Sequence, residues 1–255
     1  MLRMLKSMAI AFSIYSKIPM PQFPWKDEEM KGMLVFFPWI GGVIGGILYA
    51  WYWLCGMLGI GKMAYVLWGM AIPLVVTGGF HVDGFLDTMD ALHSYQPRER
   101  KLEILKDSHI GAFACIMLAL YGLLYGGAFS EVSESSIFAV LCCGFFLSRC
   151  LSGIGVVTIP SAKKEGMVYT FADQAETRMV KVALYGQMAL CMGVMLVFHL
   201  VAGALVIVSM LGSFWYYKVR MKKEFGGITG DTSGYFVLLS ECVMMIAGSA
   251  IQILG

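Results

Sequence analysis

The chain has 255 residues, 58% of them hydrophobic and only 14% charged, with a net charge of +2 and a mean hydropathy of +0.73. Soluble domains carry about 25% charged and 45–50% apolar residues, so this apolar excess needs lipid as its solvent. No basic stripe or RNA-binding signature is present, which excludes a nucleic-acid partner; the chain reads as all-α, a polytopic helical bundle forming one integral membrane domain over residues 1–255.

Arg3 and Lys6 precede a short apolar run, Met8 to Tyr15, which is followed by Lys17 and by Pro19, Pro21 and Pro24. With no small-residue cleavage site this predicts an amphipathic lead-in helix, not a signal peptide. A spanning helix needs about 20 apolar residues, and the candidates are 33–55, 62–80, 110–128, 136–158, 180–198, 200–217 and 234–254, about seven transmembrane helices. The run from Leu184 to Trp215 is too long for one span, and His199 and Gly203 mark its turn. Pro38 and Pro73 fall inside spans and predict kinks, which membrane helices tolerate. The cysteines form no C-x-x-C pair and lie in apolar stretches, so they read as small packing residues, as do the methionines.

Charge divides the loops into two sets. Arg98, Arg100, Lys101 and Lys106 follow the second span, Lys163, Lys164, Arg178 and Lys181 the fourth, and Lys218, Arg220, Lys222 and Lys223 the sixth. The alternate loops hold Lys62, then Glu131 and Glu134, then His199. Short loops rich in Lys and Arg stay cytoplasmic. The expected topology therefore has the N-terminus in the cytoplasm and the basic loops on the cytoplasmic face of a cytoplasmic (inner) membrane.

Three of those inside segments carry the chemistry. In His81-Val82-Asp83-Gly84-Phe85-Leu86-Asp87-Thr88-Met89-Asp90, the acids follow i, i+4, i+7 spacing and form one helix stripe. Like charges at that spacing repel, and a divalent cation would cancel the repulsion. Carboxylates are hard ligands suited to Mg²⁺ or Mn²⁺, which makes Asp83 and Asp87 candidate metal ligands with Asp90 close by; the plain alternative is a solvated helix face. His81 beside Asp83 is a candidate general base or supporting partner. Gly78 and Gly79 allow the helix to break there.

The second segment, Glu103 to Gly111, offers Lys106 for a phosphate and Asp107 as a further metal ligand, against a snorkelling lysine and a helix cap. The third, Gly226-Gly227-Ile228-Thr229-Gly230-Asp231-Thr232-Ser233-Gly234, opens the last span; its backbone amides at a helix start suit phosphate. It is not a P-loop, and a flexible turn with Asp231 as a mere N-cap is the competing reading. Arg149 lies within the fourth span, where an arginine is costly and points to function unless it snorkels to the interface. Acids, a lysine, an arginine and a glycine-rich turn on one face suit divalent metal plus phosphate recognition.

These motifs resemble the cobalamin synthase family (adenosylcobinamide-GDP ribazoletransferase). The resemblance rests on His81-x-Asp83-Gly84-x-x-Asp87-Thr88-x-Asp90, Lys106-Asp107-Ser108-x-Ile110-Gly111 and Gly226-Gly227-x-Thr229-Gly230-Asp231-Thr232-x-Gly234, in that order, with Tyr15-Ser16-Lys17-Ile18-Pro19-Met20-Pro21 similar to the family's opening. Departures are Tyr235 after the last motif, where Gly-Ala is usual, and Ala91 where glycine is common; neither loses a chemical group. The resemblance implies a Mg²⁺-dependent membrane transferase that joins adenosylcobinamide-GDP to α-ribazole or its 5′-phosphate and releases GMP. It implies His81, Asp90 and Asp231 as catalytic residues, Asp83, Asp87 and Asp107 as metal ligands, and Lys106, Arg149, Gly227, Thr229 and Gly230 as phosphate or substrate contacts. A homo-oligomer is compatible with it. The alternative from another class is a cation-coupled transporter, whose acids should lie near the bilayer midplane on broken helices.

Overall fold

The computed structural model describes residues 2–163 and 177–254; Lys164 lies outside the described residues. Among them the structure is helical throughout. In chain order it has α1 (Leu2–Tyr15), α2 (Asp27–Met30), a 3₁₀ turn (Met33–Phe36), α3 (Phe37–Leu58), α4 (Lys62–Thr77), α5 (Phe80–His93), α6 (Arg98–Ile104), α7 (Ala112–Glu131), α8 (Ser135–Thr158), α9 (Thr177–Phe198), α10 (Leu200–Phe225) and α11 (Gly230–Leu254). Six helices are long and apolar enough to cross a membrane, and α4 with α5 makes a seventh if that bent pair is counted as one broken span.

The expected second span does not continue through residue 80. Gly78 and Gly79 adopt φ of 65° and 78°, left-handed values that glycine takes without a Cβ penalty. The Gly79 amide returns to the Leu74 carbonyl at 3.1 Å, and α5 leaves α4 at 95°. The two halves differ in surface. Met63, Leu67, Trp68 and Val75 of α4 are exposed, as lipid-facing residues are, whereas α5 exposes no large apolar side chain. The other expected break also holds: α9 ends at Phe198, α10 begins at Leu200, and His199 Nδ1 accepts the Ala202 amide at 3.1 Å.

α8 is the buried centre of the bundle, with α3, α9, α10 and α11 around it. The α3–α8 contact is close because Gly41 and Gly45 present no side chain. A Cβ at either would collide with the carbonyls of Phe145 or Cys142, the small-residue packing that lets membrane helices approach. Six of the cysteines are buried or partly buried, as packing residues should be; Cys115 is exposed.

Contacts sort the loops onto two ends. At one end Lys62 pairs with Glu131 at 3.8 Å, and Gln252 Oε1 accepts the amides of Ser133 and Glu134 at 3.2 and 2.9 Å. At the other, Lys101 of α6 pairs with Glu224 of α10 at 2.5 Å. There too the residues after α8 run alongside those before α11: Ile228 N donates to Pro160 O at 3.0 Å and Ala162 N to Ile228 O at 2.8 Å. The acid-bearing and glycine-rich segments thus share one end of the bundle, and the sparsely charged loops share the other.

Candidate functional site

The site is built where α5 crosses the start of α11. Gly84 makes the crossing possible: a Cβ there would lie 2.8 Å from Asp231 Cα. Gly234, one turn into α11, packs in the same way on His81, whose carbonyl would be 3.1 Å from an added Cβ. Phe85 and Tyr235 stack beside the crossing at 5.9 Å. The contact between two glycine-bearing faces brings segments that are distant in the chain into one place.

Asp83 is exposed and Asp87 partly buried on α5, while Asp231 is partly buried in the first turn of α11. Asp87 lies in the field of Asp83, Asp231 and Asp90, and Asp231 lies in that of Lys163 and Asp83. The stripe of acids read from α5 is therefore extended across the crossing by a carboxylate from the last span. A groove of ≈ 540 Å³ runs along the α4–α5 break past Asp83; Ser16, Lys17, Thr77 and Gly79 line it with Asp83. Lys17 is exposed, and its amide donates to the Val76 carbonyl at 2.8 Å. It is a cation at the acid groove that reading the charge pattern alone overlooked. Its signal was the Tyr15–Pro21 motif.

Thr229, not Asp231, caps α11. The Thr229 amide donates to Thr232 Oγ1 at 2.8 Å and the Thr232 amide to Thr229 Oγ1 at 3.2 Å, the reciprocal arrangement of a capping box. Asp231 is thereby released from the capping role; its carboxylate accepts from the Thr229 hydroxyl at 3.4 Å and from its own backbone amide. The loop amides are less open than a phosphate cradle requires, because those of Ile228 and Thr229 are already committed. Gly227 is wedged against the backbone of residues 160–162, while Gly230 faces open space at the helix start.

Other expected residues are placed differently. Both oxygens of Asp90 are occupied: Oδ2 accepts the Gly111 amide at 2.5 Å and Oδ1 the Ala114 amide at 2.9 Å. Asp90 therefore caps α7 and fastens the end of the Lys106–Gly111 segment to α5. Lys106 is exposed. Asp107 lies outside the acid cluster, more than half exposed, with His109 Nδ1 at 2.6 Å. That hydrogen bond holds its carboxyl below the usual carboxylate range.

His81 does not face the stripe. It is 4% exposed, packed near Tyr15, Phe37 and Phe80. Arg149 is 1% exposed and forms an ion pair with Glu241 of α11, joined by Ser148. Its charge is spent inside the bundle, so it does not snorkel. Glu241 was missed in the sequence, although a lone acid in an apolar span is costly enough to demand a partner.

Among the described residues no group of three His, Cys, Asp or Glu is disposed to hold a metal ion by itself. Mg²⁺ is usually held by one or two carboxylates together with water and substrate phosphates. Two of the carboxylates Asp83, Asp87 and Asp231 would make up that partial donor set.

The family model for cobalamin-5-phosphate synthase matches residues 7–249. An adenosylcobinamide-GDP ribazoletransferase of Lachnoclostridium phytofermentans is 41% identical over 99% of this chain and 95% of its own. One of Clostridium botulinum (strain Eklund 17B) is 31% identical over 95% of this chain and 96% of its own, and one of Clostridium perfringens (strain SM101) 29% over 92% and 94%. No solved structure matches. With the family model covering nearly the whole chain and all three relatives aligned over more than nine-tenths of each chain, this helical membrane protein belongs to the cobalamin-5-phosphate synthase family.

Proposed function

We propose that this protein is an adenosylcobinamide-GDP ribazoletransferase, joining adenosylcobinamide-GDP to α-ribazole or its 5′-phosphate with release of GMP at the cytoplasmic face of the inner membrane. The observation that carries this reading is the juxtaposition of Asp231 with the Asp83–Asp87 stripe beside a groove that also holds Lys17. In the reaction, a ribazole hydroxyl oxygen attacks the phosphorus next to cobinamide. The pyrophosphate P–O bond breaks, and GMP leaves with that electron pair. The hydroxyl proton passes to one of the carboxylates, for which Asp87 and Asp231 are the candidates.

Mg²⁺ held by Asp83 and by whichever of Asp87 and Asp231 does not take the proton would neutralise pyrophosphate charge. Lys17 adds positive charge in the groove, and the positive end of the α11 dipole faces the same charge. Asp90 acts by positioning, because its oxygens are engaged with α7. The basic loops on the site's end of the bundle support a cytoplasmic orientation. A transporter reading is less well supported, because Asp83, Asp87 and Asp231 gather at one end of the bundle and Glu241 inside it is paired with Arg149.

The test is GMP release from adenosylcobinamide-GDP by the purified protein, with and without α-ribazole and Mg²⁺. Release that requires both is expected. No ribazole-dependent release at any Mg²⁺ concentration would remove the proposal.

A further inference from the structure

A second cavity, of ≈ 250 Å³, lies within the bundle beneath the acid-bearing helix, bounded by residues of α4, α5, α7, α8 and α11. Most of its wall is apolar, with Met70, Pro73, Leu118 and Leu238 contributing. Five polar side chains also line it while being almost wholly buried: His81 at 4% exposure, Tyr125 and Glu241 at 3%, Arg149 at 1% and Thr77 at 6%. Among the described residues both ring nitrogens of His81, the Tyr125 hydroxyl and Arg149 Nε have no hydrogen-bond partner. Buried polar atoms are ordinarily satisfied, so this set points to something that enters the cavity.

The chemistry of that ligand is constrained. Glu241 cancels the charge of Arg149, so the cavity lacks the net positive charge that a phosphate requires. The polar cluster can satisfy one or two waters, but the cavity is far larger than that, and its apolar wall offers no partners for further ones. What fits is an uncharged, largely apolar ring with one or two hydrogen-bonding atoms, the usual balance of a small-molecule pocket. Location adds a second constraint: Leu74, Thr77 and Val82 line both this cavity and the groove of Asp83. A ligand held here lies one layer of side chains from the carboxylates.

We infer that this cavity is the subsite for the aromatic base of the nucleoside acceptor. Its heterocycle packs on the apolar wall, and its free ring nitrogen accepts a hydrogen bond from His81 or the Tyr125 hydroxyl. The ribose then extends past Thr77 and Val82 towards the groove, which brings a ribose hydroxyl to the acids. This subsite rests on the transferase reading for the identity of its ligand, but not for its existence.

Gly122 of α7 allows a direct test. It lines the cavity, and a Cβ there would meet nothing within 4 Å, so a larger residue can be introduced without a clash at its Cβ. Binding of α-ribazole alone would be measured by calorimetry on the full chain in lipid nanodiscs. Wild type and Gly127→Leu, on the same helix but outside the cavity lining, should bind alike, and Gly122→Leu should bind about tenfold more weakly or worse. Tyr125→Phe removes only the unpartnered hydroxyl; it should weaken binding with an unchanged melting temperature. In turnover, Gly122→Leu should raise KM for the ribazole substrate while KM for the GDP-linked substrate stays within about twofold. No binding to wild type, or equal binding by wild type, Gly122→Leu and Tyr125→Phe, overturns the subsite. Loss of binding on filling the cavity, in a protein that releases no GMP, would keep the subsite and discard the transferase reading.

Discussion

Gly84 lies flush against the backbone of Asp231: a Cβ on Gly84 would fall 2.6 Å from the Asp231 carbonyl oxygen. The distance between α5 and α11, and with it the separation of the acids they carry, is set by a missing side chain. Gly84→Ala must push the helices apart. Overpacking of this kind costs about 1–3 kcal/mol, and here it also spreads the carboxylates. The variant should melt lower and lose most GMP release. Gly46→Ala, at a position where a Cβ meets nothing within 4 Å, should do neither. Equal activity in the two variants would show that the crossing distance is unimportant.

Asp90 offers a contrast with its neighbours on the stripe. Because its oxygens hold the amides of Gly111 and Ala114, Asp90→Ala should behave as a lost cap, costing about 1 kcal/mol. A lower melting temperature and a reduced kcat are expected, while the Mg²⁺ concentration for half-maximal rate stays as in wild type. Asp83→Asn and Asp87→Asn should shift or abolish that Mg²⁺ dependence with little change in melting. A Mg²⁺ titration across the three variants distinguishes them, and a shifted midpoint in Asp90→Ala would move this residue back among the ligands.

The Arg149–Glu241 pair should dominate stability inside the bundle. Removing one partner of a buried pair leaves an uncompensated charge and costs about 3–5 kcal/mol, whereas replacing both by apolar residues is often nearly neutral. Arg149→Met or Glu241→Met alone should therefore lower the melting temperature sharply, and the double replacement should recover most of it. If the guanidinium serves packing, the double variant regains GMP release to within about tenfold. A stable but inactive double variant would instead give Arg149 to the substrate.

Orientation can be read by cysteine labelling in a Cys115→Ser background, since Cys115 is the exposed native thiol. Ser94, at the C-terminal end of α5, shares the end of the bundle with the site, and Ser133 lies at the opposite end beside Gln252. In intact cells an impermeant reagent should modify Ser133→Cys and spare Ser94→Cys. The reverse pattern would invert the topology.

How much of this was legible in the sequence depends on the range of each interaction. The spans were readable because hydropathy is local, and so were the breaks at Gly78–Gly79 and His199, where the residue type itself signals a turn. The 95° bend between α4 and α5 was not, because its angle is set by packing against α7 and α11. Asp83, Asp87 and Asp231 could be gathered on one end of the bundle from loop charge. The role of Asp90 was hidden because its partner Gly111 lies 21 residues away. Glu241 was hidden as the counter-charge of Arg149 because it lies 92 residues on, in another span. Thr229 as the α11 cap was written in the Thr-x-x-Thr spacing, but Asp231 in the same turn is an equally good capping type.

Asp231 bears the central claim, that carboxylates from α5 and α11 form one metal-dependent transfer site. The decisive measurement is GMP release by purified Asp231→Asn, compared with wild type across a Mg²⁺ titration and alongside its melting curve. Because Thr229 supplies the cap, the substitution should leave melting unchanged. Loss of a ligand or proton-accepting carboxylate should reduce turnover about a hundredfold or more, equivalent to about 2.7 kcal/mol at the transition state. A stable, nearly inactive Asp231→Asn is the predicted result; a variant with wild-type turnover and unaltered Mg²⁺ dependence would contradict the account.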